Sequence, residues 1–153
     1  MHKDACVLTT KDFTILEVML DRSKEADNPM ARLLRRKIDA AKVVFADDVG
    51  TTVATLSSRI TYRIDAGEPD SRILSHDRMN ASSVLFLPLT SPIGLALLGL
   101  SEGQDFYIES TEGMRRIMLE AVLYQPEAAR RDREALARLA TPAMRRAALR
   151  VVT

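Results

Sequence analysis

Cysteine, histidine and aromatic residues are all scarce in this 153-residue chain, which holds one Cys, two His, four Phe, three Tyr and no Trp. A single thiol, Cys6, excludes an internal disulfide and a cysteine-based metal cage, and points to a reducing compartment. Neither His2 nor His76 has metal-ligand or triad spacing, so both read as solvated surface residues. Ser57-Ser58 and Ser82-Ser83 lack the strand–turn–helix setting of a nucleophile, and the glycines nowhere cluster before a helix with Lys and Ser or Thr as a phosphate loop requires. Met1 to Cys6 has no apolar signal-peptide core, and no run approaches the roughly 18 apolar residues of a membrane span. The chain also lacks an excess of either charge: 22 Lys plus Arg face 21 Asp plus Glu, a net of +1. That balance argues against bulk binding to nucleic acid or an anionic membrane. A soluble cytoplasmic protein with no cofactor, no bound metal and no membrane partner is the expectation.

What the chain does contain is helical periodicity followed by strand alternation. Thr9 with Asp12 resembles a capping box, and Phe13, Ile15, Leu16, Met19 and Leu20 then form an apolar stripe. After the polar turn Asp21 to Asp27, Asn28 and Pro29 suit the cap and first position of a second helix, whose apolar face is read through Met30, Leu33, Leu34, Ile38, Ala41, Val44 and Phe45. Two such helices form an antiparallel hairpin, the first about 20 Å and the second about 25 Å long. Beyond Gly50 the period becomes two, with Ile60, Tyr62 and Ile64 on one face of a strand. Short strands are expected over Arg72 to Ser75 and Val84 to Leu89, and a hairpin joins Asp105 to Glu109 and Arg115 to Tyr124. The plan is α+β: a helical hairpin over 1–46, a small antiparallel sheet with one short helix over 47–126, and an Arg-rich helical extension over 127–153, broken at Thr141-Pro142.

The short helix is the most specific feature. Ser91 caps it, Pro92 opens it and Gly99 can close it in a left-handed conformation. Gly94 inside so short a helix costs about 1 kcal/mol against Ala, which requires close approach of another backbone, either the chain's own sheet or a partner.

Charged groups offer two further readings each. Asp47-Asp48 suits a turn better than a metal site. Asp21, Glu25 and Asp27 crowd the hairpin tip, as a solvated turn or as carboxylates that help hold a Mg²⁺ in a partner's active site. The segment from Glu127 carries +4, with Arg130, Arg131, Arg133, Arg138, Arg145, Arg146 and Arg150, and leaves −3 for the rest. Those arginines form a solvated helix face or a contact to an acidic surface or phosphate backbone.

Ser91-Pro92-Ile93-Gly94-Leu95-Ala96-Leu97-Leu98-Gly99-Leu100, with Gly103 downstream, resembles the signature of the C-terminal domain of bacterial Gre transcript-cleavage factors. Their smaller Rnk-type relatives, named as regulators of nucleoside diphosphate kinase, are also similar at Tyr124-Gln125-Pro126-Glu127-Ala128, so that the likeness covers about residues 7 to 128. The resemblance implies an FKBP-like fold that docks on RNA polymerase at the rim of its secondary channel, with Ser91, Pro92, Ile93, Gly94, Leu97, Gly99 and Gly103 in or beside the contact. The Gre hairpin is much longer and has an acidic tip sequence that 21–28 does not reproduce, and Gln104 stands where the pattern has Asp. A non-enzymatic polymerase-binding regulator without transcript cleavage or sequence-specific nucleic-acid binding is therefore the leading expectation. The alternatives are a modulator of nucleoside diphosphate kinase, an isomerase of FKBP type, and an oligomeric module built through the C-terminal helices.

Overall fold

Thr9 ends one element and starts the next. In the computed structural model, which describes residues 4–23, 28–76, 84–139 and 142–143, β1 (Cys6–Thr9) runs directly into α1 (Thr10–Arg22). The Thr9 hydroxyl accepts the Asp12 amide at 3.1 Å, so the expected cap forms. Only half of the capping box does, because the Asp12 carboxylate turns inward and accepts the Leu56 amide at 3.1 Å. Asn28 caps α2 (Pro29–Ala40) by accepting the Met30 amide at 2.8 Å, with Pro29 in the first turn.

The second helix is shorter than its apolar period suggests. It stops at Ala40, and Ala41–Val44 forms β2, paired in parallel with β1. The β-branched Val43 and Val44 suit an extended backbone, and β1 offers an edge to pair with, so the ladder ends the helix. Phe45, expected on the buried stripe, is 69% exposed in consequence.

The main sheet has the order β5-β4-β3-β7-β6. Its members are β3 (Arg59–Ile64), β4 (Asp70–Ser75), β5 (Phe86–Pro88), β6 (Asp105–Ser110) and β7 (Gly113–Tyr124). The sheet is mixed rather than antiparallel throughout, since β5 joins the edge parallel to β4. β7 runs antiparallel to both neighbours, and register shifts against β3 bend the pair into a curl. Alternation holds as expected: Ile60, Tyr62, Phe106, Ile108, Ile117 and Leu119 are all buried.

Against the buried face sits α3 (Pro92–Leu97), whose Leu95, Ala96 and Leu97 are fully buried, as is the following Leu98. One apolar cluster runs from Leu8, Leu16, Leu33 and Leu34 of the N-terminal elements through α3 to the sheet. The Arg-rich α4 (Pro126–Leu139) follows β7, and the remainder of the expected extension, apart from Pro142 and Ala143, lies outside the described residues.

The close approach demanded by Gly94 is internal. A Cβ there would stand 2.2 Å from the Pro88 carbonyl oxygen, a backbone atom that has no room to yield. Gly94→Ala is therefore expected to cost about 3 kcal/mol or more of unfolding free energy by urea titration, whereas Gly50→Ala, which meets only Val53 at 3.8 Å, is expected to stay within about 0.5 kcal/mol.

Candidate functional site

The sequence signature builds a rigid helix entrance. The Ser91 hydroxyl accepts the Gly94 amide at 3.1 Å and donates to the Pro88 carbonyl at 2.9 Å, tying the cap to the end of β5. At the other end Gly99, at φ +86°, accepts the Val7 amide at 2.9 Å through its carbonyl and donates to the Ala54 carbonyl at 2.8 Å. Gly103, also left-handed at φ +87°, donates to Leu119 and starts the pairing of β6 with β7. Of the seven expected docking residues, Gly94, Leu97 and Gly99 are thus buried packing elements, and Gly103 lies exposed beyond the far end of the helix.

Pro92 and Ile93 are different, since they face a concave surface. One cleft of about 190 Å³ lies between α2 and α3, walled by Met30, Leu33, Arg36, Pro92, Ile108 and Glu109. A second of about 380 Å³ shares Pro92, Ile108 and Glu109 and continues over Ile93, Ile64, Ile117 and Arg115. The floor is aliphatic and the rim is charged, with Arg36 held by Asp4 at 2.8 Å and Arg115 by Asp65 at 2.7 Å. The Asp65 carboxyl is held below its ordinary value by the Arg116 amide and the Arg115 side chain. No residue that lines either cleft is aromatic, and none of them forms a nucleophile–base pair. Glu109, Ile108 and the α2 wall were not legible as site residues, because only the fold brings them to Pro92.

Two buried ionisable groups lie in the interior, Lys37 behind the first cleft and Asp12 under the loop before β3. Lys37 sits at i+4 from Leu33 on the apolar stripe, a signal the sequence does carry, and is fully buried. Asp12 is buried with its Oδ1 unpaired, and burial together with the nearby Glu127 pushes its carboxyl upward, against the opposing Leu56 amide. Glu127 itself accepts the Thr55 hydroxyl at 2.7 Å, which is in turn 2.8 Å from the Ser58 hydroxyl. Ser57 is exposed at φ +71°.

The remaining candidates are dispersed. Asp21 is exposed at the end of α1, while Glu25 and Asp27 lie outside the described residues, as do His2, Ser82 and Ser83. His76 is exposed. Asp47-Asp48 forms a short 3-10 turn, with Asp47 3.4 Å from Arg130. Arg131 donates to the Ala46 carbonyl, so Arg130 and Arg131 fasten α4 to the base of the helical hairpin. Arg133 and Arg138 are exposed, and Arg145, Arg146 and Arg150 lie outside the described residues. No group of three His, Cys, Asp or Glu able to hold a metal occurs among the described residues, and none of their helices is long and apolar enough to cross a membrane.

With that geometry in place, comparison with known proteins is informative. The chain is 28% identical over 131 residues to the regulator of nucleoside diphosphate kinase of Escherichia coli K12, spanning 84% of this chain and 96% of that protein. The Shigella flexneri protein of the same name matches equally. The chain is thus similar to these regulators over nearly their whole length. Among solved structures, a prokaryotic transcription elongation factor GreA/GreB from Nitrosomonas europaea superposes with a TM-score of 0.59 at 24% identity, covering 78% of this chain and 98% of that one. The chain therefore has the fold of that Gre-type factor. No protein-family model matches it.

The buried acid at Asp12 makes a pH prediction. A raised Asp12 pKa means that the native state binds more protons than the unfolded chain between the ordinary value of 3.8 and the folded value. Stability from this site is full below that window and is lost as pH rises through the folded pKa. Wild type is expected to lose melting temperature relative to Asp12→Asn as pH rises above the ordinary value of 3.8; a difference that is flat with pH contradicts a buried carboxyl with a raised pKa.

Proposed function

We propose that this chain is a transcription regulator that docks on RNA polymerase through the double cleft at the entrance of α3 and does not cleave RNA. The observation that carries the reading is the convergence of Pro92 and Ile93, from the signature shared with Gre-type factors, on the aliphatic floor formed with Ile108. Homology to Rnk and the Gre-type fold support it. Pro92 is exposed and Ile93 half-buried, so burial by a partner releases water from aliphatic surface while the rigid cap and glycines keep the ordering cost low.

The absence of cleavage rests on reach and chemistry. α1 and α2 have 13 and 12 residues, lengths of about 20 Å and about 18 Å, shorter for the second than its sequence period implied. Such a hairpin extends a short way from the body. Asp21 is the one described member of the tip acids, and the clefts hold no acid–base machinery. An isomerase of FKBP type is disfavoured for want of an aromatic lining.

The name of the curated relative supports a second reading, action on nucleoside diphosphate kinase itself. Retention of the full chain on immobilised core polymerase separates the two. Expected are binding that a Gre factor displaces, a loss of tenfold or more for Ile93→Asp, and no RNA shortening in stalled elongation complexes. Failure to bind polymerase, together with a direct change in the turnover of purified kinase, overturns the docking reading.

A further inference from the structure

Lys37 is a full-length cation with 0% exposure, and the surface function does not account for it. Its ammonium donates to the Ala96 carbonyl of α3 at 2.8 Å and stands 4.5 Å from the centre of the Phe106 ring on β6. Ala96 is one turn beyond Pro92, Leu33 one turn before Lys37, and Phe106 two residues before Ile108 on the same strand face. The three elements that Lys37 joins are therefore the three that wall the first cleft.

We propose that Lys37 is the strut that sets the spacing of α2 and α3 over β6, and with it the width of the cleft. Burying an ammonium costs several kcal/mol, and a hydrocarbon of equal length fills the same space without that cost. What the hydrocarbon lacks is a directional bond to one carbonyl and attraction to one ring face, which together fix position rather than merely fill volume. Cys6 reinforces the arrangement by donating its thiol to the Lys37 carbonyl at 3.6 Å. The role of the strut in partner binding rests on the docking reading; its effect on cleft width does not.

The strut is open to titration. Asp4 and Cys6 face Lys37 from the N-terminal segment, Arg36 from its own helix, Ala96 from α3 and Phe106 from β6. Burial outweighs the opposing influence of Cys6 and of the Asp4 carboxylate and, with the nearby Arg36, lowers the amine from 10.5 to about 8. The neutral amine can still donate to Ala96 but loses its attraction to the ring, so the cleft relaxes as pH rises through about 8.

Full-length protein with ¹³C-labelled lysine and isoleucine, leucine and methionine methyls tests this by NMR between about pH 6 and about pH 11. Lys37 is expected to titrate near 8, with the Leu33, Met30 and Ile108 methyls moving at the same midpoint and the step absent in Lys37→Met. Titration of Lys37 with immobile cleft methyls, or a methyl step that survives in Lys37→Met, overturns the strut. Should Lys37→Met not fold, Phe106→Leu serves in its place: a lower Lys37 midpoint supports the proposal and an unchanged one refutes it. A cleft that responds to pH while polymerase retention does not leaves the strut standing and removes the docking reading.

Discussion

The seating of a six-residue helix against bare backbone is the constraint on which the rest of the structure depends. Gly94 brings α3 against the Pro88 carbonyl, and Gly99 lets Leu8 and the Val7 carbonyl approach at 2.9 Å from where a Cβ would be. Neither contact tolerates a side chain. Because both ends of the helix are pinned, to β5 through Ser91 and to β1 through Gly99, its four consecutive apolar residues can all be buried. A helix this short is unstable alone and exists through that packing.

From this seating the surface follows. Once α3 is fixed, Pro92 and Ile93 must emerge beside β6, and α2 must close the opposite wall. The buried charges lie where elements of distant sequence meet: Lys37 joins α2 to α3, and Asp12 joins α1 to the loop before β3. Polar bonds of that kind specify position at a cost in desolvation. The α4 arginines act differently, for Arg130 pairs with Asp47 and Glu134 and Arg131 donates to the Ala46 carbonyl, which ties α4 to the 3-10 turn at the hairpin base.

Much of this was legible from residue types and spacing. Thr9, Asn28 and Ser91 cap the helices expected of them, and Gly94 and Gly99 sit where a close approach and a left-handed turn are needed. The alternation over Ile60, Tyr62 and Ile64 identified β3. What escaped was set by partners far along the chain. Val43 and Val44 continue a helical period as well as a strand period, and only the edge of β1, 35 residues earlier in the Cys6–Ala41 register, decides between them. The parallel pairing of β5, the inward turn of Asp12 and the partners that Lys37 finds on α3 and β6 are likewise long-range outcomes. For the candidate site, the signature marked Pro92 and Ile93, but three of its seven expected docking residues are buried in packing and the opposing wall could not be read without the fold.

Hydrogen–deuterium exchange of the full chain, alone and with core RNA polymerase, tests the account most directly. The account predicts new protection at Ile93 and across Ile108 to Ser110, the walls of the two clefts, with the amides around Asp21 at the hairpin tip unchanged. Protection confined to α4 or to the hairpin tip, with the α3 entrance exchanging as in the free protein, contradicts it.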